Sequence, residues 1–211
     1  MAQRAVLFDL DGTLVDSSES VARCWDHLAQ SAGFDVTLLD GLHGVPARKF
    51  IETLLGPDRK SEVNHWVEWH LKNEVTDVEG TISYPGALPL ISWLESKPDL
   101  RWGIVTSCQR ELALARLGAA SLPVPEIFVT FDDVKNGKPD PEPYLLGAKL
   151  MGLAPSDTYV VEDAPAGVTA GIKAGATVLA VTTTHAHGVL RHASDIVENL
   201  EGVLGYLQKT V

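Results

Sequence analysis

Residues 4–14 read Arg-Ala-Val-Leu-Phe-Asp-Leu-Asp-Gly-Thr-Leu, an apolar run that ends in two carboxylates, Asp9 and Asp11. Such a run is typical of a buried parallel strand with polar groups at its carboxyl end. Because successive side chains of a strand alternate between faces, Asp9 and Asp11 project to the same side. A calcium loop does not fit, because Gly12 comes too early and Ser20 stands where that loop needs glutamate. We therefore expect the fold to be organised around this strand.

Short apolar strands alternate with helical patterns through the rest of the chain. The predicted strands are 102–106, 127–130, 159–162, 177–181 and 195–197, and the predicted helices are 109–117, 142–151, 166–174 and 200–208. This alternation predicts βαβ units and a doubly wound parallel sheet. The predicted fold class is α/β, with a Rossmann-like core formed by residues 1–16 and 84–211. Ligands of such sheets bind at the carboxyl ends of the strands.

Residues 17–83 interrupt the alternation. Their patterns predict three helices, at about 18–32, 46–55 and 61–76. We interpret the segment as an all-helical domain inserted after the first strand, and inserted helices over an open sheet edge commonly form a lid. Trp25, Trp66 and Trp69 fall at helical spacing, which predicts that they pack in the core of this domain.

The composition excludes several kinds of partner. The chain has 211 residues, of which 45% are apolar, and this is enough to bury a full core. Its formal net charge of −11 argues against a nucleic-acid surface and against binding to an anionic membrane. The two cysteines, Cys24 and Cys108, indicate a reducing compartment, and the first residues lack the pattern of a signal peptide. We expect a cytoplasmic monomer.

A second predicted strand also ends in acids. Residues 159–163 read Tyr-Val-Val-Glu-Asp. In a parallel sheet both strand ends lie at one edge, so Glu162 and Asp163 would meet Asp9 and Asp11 there. Like charges about 4 Å apart repel by on the order of several kcal/mol at intermediate dielectric. A divalent cation relieves this repulsion, and an all-oxygen shell that keeps some waters suits Mg²⁺.

Two further positions supply groups that bind anions. Thr106 and Ser107 follow a predicted strand and precede a helix, where hydroxyl and backbone N–H groups form an anion site. Lys138 lies in the sequence Gly-Lys-Pro-Asp-Pro at 137–141, and the prolines fix the backbone around it. Each feature alone carries little information. Together with the acids they predict a phosphate site.

Taken in order, these segments resemble the four signature motifs of the haloacid dehalogenase-like hydrolase superfamily. The matching segments are Asp9-Leu-Asp-Gly-Thr13, Thr106-Ser107, Gly137-Lys-Pro139 and Glu162-Asp163. The resemblance covers nearly the whole chain, and residues 17–83 resemble the helical cap domain of that superfamily. Several segments are similar to its sugar-phosphate phosphatase branch, which includes 2-deoxyglucose-6-phosphate and glycerol-3-phosphate phosphatases. The resemblance implies an Mg²⁺-dependent phosphatase that acts on a small phosphorylated metabolite, a sugar or polyol phosphate monoester.

The resemblance also implies roles for the acids. Asp9 would attack phosphorus and form an aspartyl-phosphate intermediate. Asp11 would protonate the leaving alkoxide and then take a proton from the hydrolytic water. Asp9, Asp163 and the backbone carbonyl of Asp11 would bind Mg²⁺. Glu162, the fourth residue of the predicted metal site, would orient water at the metal.

The remaining roles concern the phosphate and the sugar. Thr106 or Ser107, together with Lys138, would hold the phosphoryl oxygens. His43 and Arg48 lie in a region that faces the cleft in similar phosphatases, and their alternative is an exposed loop of the cap.

Several alternatives stay open on the sequence alone. A phosphomutase of the β-phosphoglucomutase kind shares the same motifs and the same covalent step. His185 and His187 form a possible rim of the site without a third metal ligand at suitable spacing. Asp132 and Asp133 either orient Lys138 or are solvated turn residues.

Overall fold

The computed structural model of the chain describes residues 4–34 and 47–211. The chain divides into two compact units, one formed by Met1–Asp16 and Ile82–Val211 and the other by Ser17–Thr81. The described residues form eight α-helices, namely α1 (Ser18–Ala32), α2 (Ala47–Leu55), α3 (Val63–Thr76), α4 (Ala87–Glu95), α5 (Arg110–Ala119), α6 (Glu142–Leu150), α7 (Pro165–Ala174) and α8 (Leu200–Thr210). None of the helices in these described ranges combines the length and the apolar character that a bilayer span needs.

The larger unit contains a six-stranded sheet in which every neighbouring pair of strands is parallel. The described strands are β1 (Arg4–Phe8), β2 (Val15–Asp16), β3 (Ile82–Ser83), β4 (Leu100–Val105), β5 (Ile127–Val129), β6 (Thr158–Glu162), β7 (Thr177–Val181) and β8 (Asp195–Val197). The order across the sheet is β5-β4-β1-β6-β7-β8, while β2 and β3 form a separate antiparallel ribbon. The strand order reverses at β1, as in doubly wound folds. The predicted α/β class and its parallel sheet are confirmed.

The alternation of side chains along β1 builds a core on each face of the sheet. Val6 and Phe8 belong to a buried cluster to which α4, α5 and α8 contribute. Ala5 and Leu7 belong to a second cluster, to which α6 and α7 contribute. Helices therefore cover both faces, so the polar groups that follow the strands gather at the sheet edge.

Two elements of this unit were absent from the prediction. Helix α4 carries Pro89 in its first turn, where the missing N–H group costs no intrahelical hydrogen bond. Because proline counts as a helix breaker in a prediction from sequence, its presence there conceals the helix. The β2–β3 ribbon pairs only two residues on each strand, which is too short for a periodic signal. This pairing places residues 82 and 83 in the larger unit, two residues before the predicted boundary.

The smaller unit contains α1, α2 and α3, and no strand is found among its described residues. Its apolar core consists of five buried residues, namely Leu28, Ala32, Ile51, Leu55 and Val63. Trp25, Trp66 and Trp69 pack against this core, as their helical spacing predicted. Arg23 of α1 pairs with Asp77 through two contacts of 2.7 and 3.1 Å, which fastens α1 to the segment that follows α3.

We predict that Asp77→Asn lowers the melting temperature at pH 7 because it removes the carboxylate charge that pairs with Arg23. The hydrogen bonds from Arg23 hold the pKa of Asp77 below its ordinary value. The ion pair therefore stabilises the fold above the usual Asp pKa of about 3.9, and this stabilisation is lost as the pH falls through the lower pKa of the folded state. Thermal melts of both proteins at pH 7 and pH 2.5 check this, and the difference between them should shrink at low pH.

Asp26→Asn is the matched control, because Asp26 is an exposed carboxylate on the same helix. It should melt with the wild type at pH 7. A difference between wild type and Asp77→Asn that is equal at both pH values would contradict the role assigned to the ion pair.

Candidate active site

The register of the sheet brings two of the predicted acidic strand ends together. Phe8 of β1 lies beside Val161 of β6, and the backbone N–H of Asp9 donates to the carbonyl of Val161 at 2.9 Å. Asp9, Glu162 and Asp163 are all buried, and each offers one oxygen within 4.8 Å of the others. Among the described residues this is the cluster of side chains with the geometry to hold a metal ion. Its donors are all carboxylate oxygens, which suits a hard cation such as Mg²⁺ or Ca²⁺.

Lys138 is directed into this cluster from the loop that precedes α6. Its Nζ atom donates to Asp9 Oδ1 at 2.5 Å, to Glu162 Oε1 at 2.7 Å and to the carbonyl of Val105 at 2.8 Å. The lysine side chain is only 5% exposed. One buried cation thus faces three buried carboxylates, and the excess of negative charge fits a cluster that binds a metal ion.

The electrostatics of the cluster follow from burial and crowding. Burial raises the pKa of Asp9 well above its usual value, and repulsion from Glu162 and Asp163 adds to this while Lys138 opposes it. Burial and the charge of Glu162 raise the pKa of Asp163 to about 6. Burial by itself lowers the pKa of Lys138, but Asp9 and Glu162 reverse the effect and raise it. The lysine is therefore firmly cationic, whereas the acids carry a repulsion that positive charge relieves.

Glu162 is engaged mainly by protein donors. Its Oε1 atom accepts from Lys138 and from the hydroxyl of Tyr144 at 2.7 Å, and its Oε2 atom accepts from two backbone N–H groups at 3.2 and 3.3 Å. A Cβ atom on Gly167 would lie 1.6 Å from Oε1, so the first turn of α7 leaves room for the carboxylate only because glycine stands there. Glu162 therefore anchors Lys138, a role that the sequence did not suggest. No feature of the sequence near Tyr144 indicated its contact.

Asp163 is held by two hydroxyls and by a close backbone approach. Thr13 Oγ1 donates to Asp163 Oδ1 at 3.2 Å, and Thr184 Oγ1 donates to Asp163 Oδ2. Gly12 has a φ of +86°, and a Cβ atom there would lie 2.2 Å from Asp163 Oδ2. Thr184 is a contact that the sequence analysis missed. His185 Nδ1 lies 2.8 Å from Thr184 Oγ1, so this hydroxyl links His185 to Asp163.

The carboxylate of Asp11 lies outside the group of three. Asp11 Oδ1 pairs with Arg116 Nη1 at 2.9 Å, and Asp11 Oδ2 accepts from the thiol of Cys108 at 3.0 Å. Burial and the charge of Asp11 raise the pKa of Cys108 well above its usual value, so this cysteine is a thiol at neutral pH. The sequence predicted four crowded carboxylates; three gather, because Arg116 and Cys108 engage the fourth. No sequence pattern singled out Arg116.

The predicted phosphate-binding residues follow β4, which neighbours β1. Thr106 is buried, and its Oγ1 atom accepts from the backbone N–H of Cys108 at 3.1 Å. Ser107 is exposed. Asp133 accepts from Thr130 Oγ1 at 2.8 Å and pairs with Arg110 at 2.8 Å, so its described contacts stabilise a turn and do not involve Lys138.

The remaining predicted residues belong to other elements or fall outside the described ranges. Arg48 is an exposed residue of α2 in the smaller unit, where its Nη1 atom donates to Asn64 at 2.9 Å. His43 lies outside the described residues. His187 is exposed in a short 3₁₀ turn that begins with it.

We predict that Lys138→Met lowers the free energy of unfolding by about 3–5 kcal/mol, because it leaves Asp9 and Glu162 buried without their cation. Urea unfolding without added divalent cations measures the change. The matched control is Lys173→Met, since Lys173 is exposed on α7, and it should unfold at nearly the same urea concentration as the wild type. Equal stability of the two variants would contradict the electrostatic role assigned to Lys138.

Comparison with known proteins gives consistent matches over most of the chain. The family model of the haloacid dehalogenase-like hydrolases matches residues 3–175. Hexitol phosphatase A of Escherichia coli K12 is 42% identical over 208 residues, which cover 96% of this chain and 94% of that protein. Glycerol-1-phosphate phosphohydrolase 1 of Saccharomyces cerevisiae is 34% identical, with 94% of this chain and 83% of that protein covered. The crystal structure of a hydrolase from Pseudomonas syringae superposes with a TM-score of 0.81 at 26% identity, covering 99% of this chain and all of that one.

Proposed function

This chain belongs to the haloacid dehalogenase-like hydrolases, as its four motifs predicted, and we propose that it is a phosphatase that hydrolyses phosphate monoesters of small sugars or polyols. The observation that carries the proposal is the buried contact of Lys138 with Asp9 beside Asp163. The cluster formed by these residues combines a carboxylate that can act as a nucleophile, a cation that can bind phosphoryl oxygens, and acids suited to a metal ion. The similarity to a hexitol phosphatase and a glycerol-1-phosphate phosphohydrolase supports the substrate class.

The proposed cofactor is Mg²⁺. Asp9 and Asp163, with the backbone carbonyl of Asp11, would hold it, and their oxygen donors and excess negative charge fit such an ion. When bound, Mg²⁺ supplies the positive charge that lets a carboxylate approach a phosphate dianion. Glu162 remains a candidate near the ion, although its described hydrogen bonds favour its function as the anchor of Lys138.

The proposed chemistry begins with Asp9. A carboxylate oxygen of Asp9 attacks phosphorus and forms the acyl phosphate bond while the bond from phosphorus to the ester oxygen breaks. Asp11 gives its proton to that leaving oxygen, which departs as an alcohol. In the second half Asp11 takes a proton from water, the water oxygen bonds to phosphorus, and Asp9 is released as a carboxylate together with inorganic phosphate.

The proposed phosphate contacts come from Lys138 and from the segment after β4. Hydrogen bonds to Glu162 and to the carbonyl of Val105 fix the position of Lys138 Nζ, so its charge is aimed before any substrate arrives. Thr106 and Ser107 supply hydroxyl and backbone N–H donors at the same edge of the sheet. The cap function of residues 17–83, the recognition of the sugar by His43 and Arg48, and the monomeric state stay predictions.

We predict that the purified protein releases inorganic phosphate from hexitol phosphates or glycerol phosphates, and that Asp9→Asn abolishes this release because an amide cannot form the acyl phosphate. A colorimetric phosphate assay across sugar, polyol and nucleotide monophosphates checks the substrate class. Asp99→Asn serves as the control, since Asp99 is an exposed carboxylate at the opposite end of the strands, and it should keep full activity.

The same assay separates the phosphatase from the phosphomutase. Sugar phosphates recovered from each reaction are analysed for isomerised products. Isomerisation without release of free phosphate would overturn the phosphatase assignment. Turnover by Asp9→Asn would overturn the covalent mechanism.

We predict that a chelator silences the enzyme reversibly, that added Mg²⁺ restores it, and that Ca²⁺ restores it poorly because its looser coordination misplaces the reacting groups. Asp163→Asn should raise the Mg²⁺ concentration that gives half-maximal activity. Asp195→Asn, which changes an exposed carboxylate of β8, should leave that concentration unchanged. Full activity of the wild type in the presence of chelator would contradict the metal requirement.

A further inference from the structure

The carboxylate of Asp11 is engaged on both of its oxygens by residues that the proposed chemistry does not use. Arg116 Nη1 lies 2.9 Å from Oδ1, and the thiol of Cys108 donates to Oδ2 at 3.0 Å. Arg116 Nη1 also donates to Cys108 Sγ at 3.2 Å. The three side chains therefore form a closed triangle of contacts around one carboxylate. We call this set the Asp11 clamp, formed by Asp11, Cys108 and Arg116.

The burial of Arg116 is unusual for its residue type. Its side chain is only 5% exposed, and it lies on the face of α5 that also buries Leu112 and Leu117. Arginine is almost never fully buried unless it is paired, because an isolated charge in the protein interior is costly. Arg110 on the same helix follows the common pattern, since its side chain is 43% exposed in its pair with Asp133. Helix α5 thus carries one partly exposed arginine, Arg110, and one buried arginine, Arg116, which pairs with Asp11.

The geometry of the clamp fixes the orientation of the carboxylate. A single partner on one oxygen would leave the group able to rotate about its terminal bond, whereas separate donors on Oδ1 and Oδ2 define the plane of the carboxylate. The side chain of Asp11 remains 25% exposed, so the clamp leaves it accessible from solvent. A group that passes protons to and from a reacting oxygen must be oriented closely, because a misplacement of about 1 Å can cost about a hundredfold in rate.

We propose that Arg116 and Cys108 are positioning residues that orient the Asp11 carboxyl group for proton transfer to the leaving oxygen. The inference rests on the proposed function, in which Asp11 is the general acid and base. Neither residue is assigned a contact with the substrate. They act by orienting Asp11. Substituting them should therefore slow only those reactions that need the proton from Asp11.

The test compares two esters that differ in their need for an acid. Phenyl phosphate releases phenol, with a pKa of about 10, and needs protonation of its leaving oxygen. The ester 2,4-dinitrophenyl phosphate needs no such protonation, because 2,4-dinitrophenol is far more acidic and departs as its anion. The value of kcat/KM is measured for both esters, because it reports the steps up to phosphoryl transfer. The readout is the ratio of kcat/KM for the dinitrophenyl ester to that for the phenyl ester.

We predict that Arg116→Met raises this ratio about tenfold, mainly because kcat/KM for phenyl phosphate falls. This change is smaller than the hundredfold or more that a general acid contributes to the rate. Cys108→Ala should raise it by a smaller factor, and Arg116→Lys should recover part of the loss because it restores the charge. Arg110→Met is the matched control on the same helix and should leave the ratio unchanged. In an Asp11→Asn background, Arg116→Met should cause no further change in the ratio.

Equal losses on both esters in Arg116→Met and Cys108→Ala would overturn the proposal, and so would a further rise of the ratio in the Asp11→Asn background. Circular dichroism verifies the fold of each variant. If Arg116→Met does not fold, Cys108→Ala decides, and an unchanged ratio in that variant overturns the proposal. Failure of the proposed function looks different, because the wild type would then hydrolyse neither ester, or Asp11→Asn would affect both equally.

Discussion

The placement of a single buried ammonium group among three carboxylates is the constraint on which the site depends. Lys138 contacts Asp9 and Glu162 at 2.5 and 2.7 Å, and its own pKa is raised by these acids. Removal of charge from water is costly unless each ion is paired and hydrogen-bonded. Glu162 meets that condition through Tyr144 and two backbone N–H groups, whereas Asp9 and Asp163 keep a repulsion that the protein leaves unbalanced. This excess of negative charge is what a bound cation would balance, in keeping with the metal ion proposed for the site.

The parallel sheet is what allows so many polar groups to meet without exposing the core. Because β4 and β6 both pair with β1 in the same direction, the residues that follow the three strands emerge at one edge. Helices cover both faces, and small residues let them approach closely, as at Gly167, where α7 begins against Glu162. The residues of the site thus follow rigid strands that fix their positions, as is usual for binding sites in doubly wound proteins.

The sequence was sufficient for the features that repeat along the chain and insufficient for contacts between distant side chains. Alternating strands and helices predicted the parallel sheet, and acids at two strand ends predicted where Asp9 and Asp163 would meet. Helix α4 was missed because Pro89 lies in its first turn. Tyr144, Thr184 and Arg116 were missed for a different reason. Each is an ordinary residue of a helix or loop, and it belongs to the site because of a hydrogen bond or ion pair with a partner that lies between 18 and 105 positions away in the chain. Periodicity and motif spacing carry no signal for such pairs.

Two aspartates that stand two positions apart are placed in contrasting environments, and this contrast supports the two different chemical roles that we propose for them. Asp9 is buried against a lysine and two acids, whereas Asp11 is partly exposed and held by an arginine and a thiol. Pairs of carboxyl groups acquire separate functions when their surroundings differ in charge and solvent access. Here the difference arises because Asp9 ends the strand and turns into the cluster, while the next residues carry Asp11 toward α5. The two proposed roles are therefore separated by the fold itself. β6 and the lysine loop define the surroundings of Asp9, whereas α5 and Cys108, which precedes it, define those of Asp11.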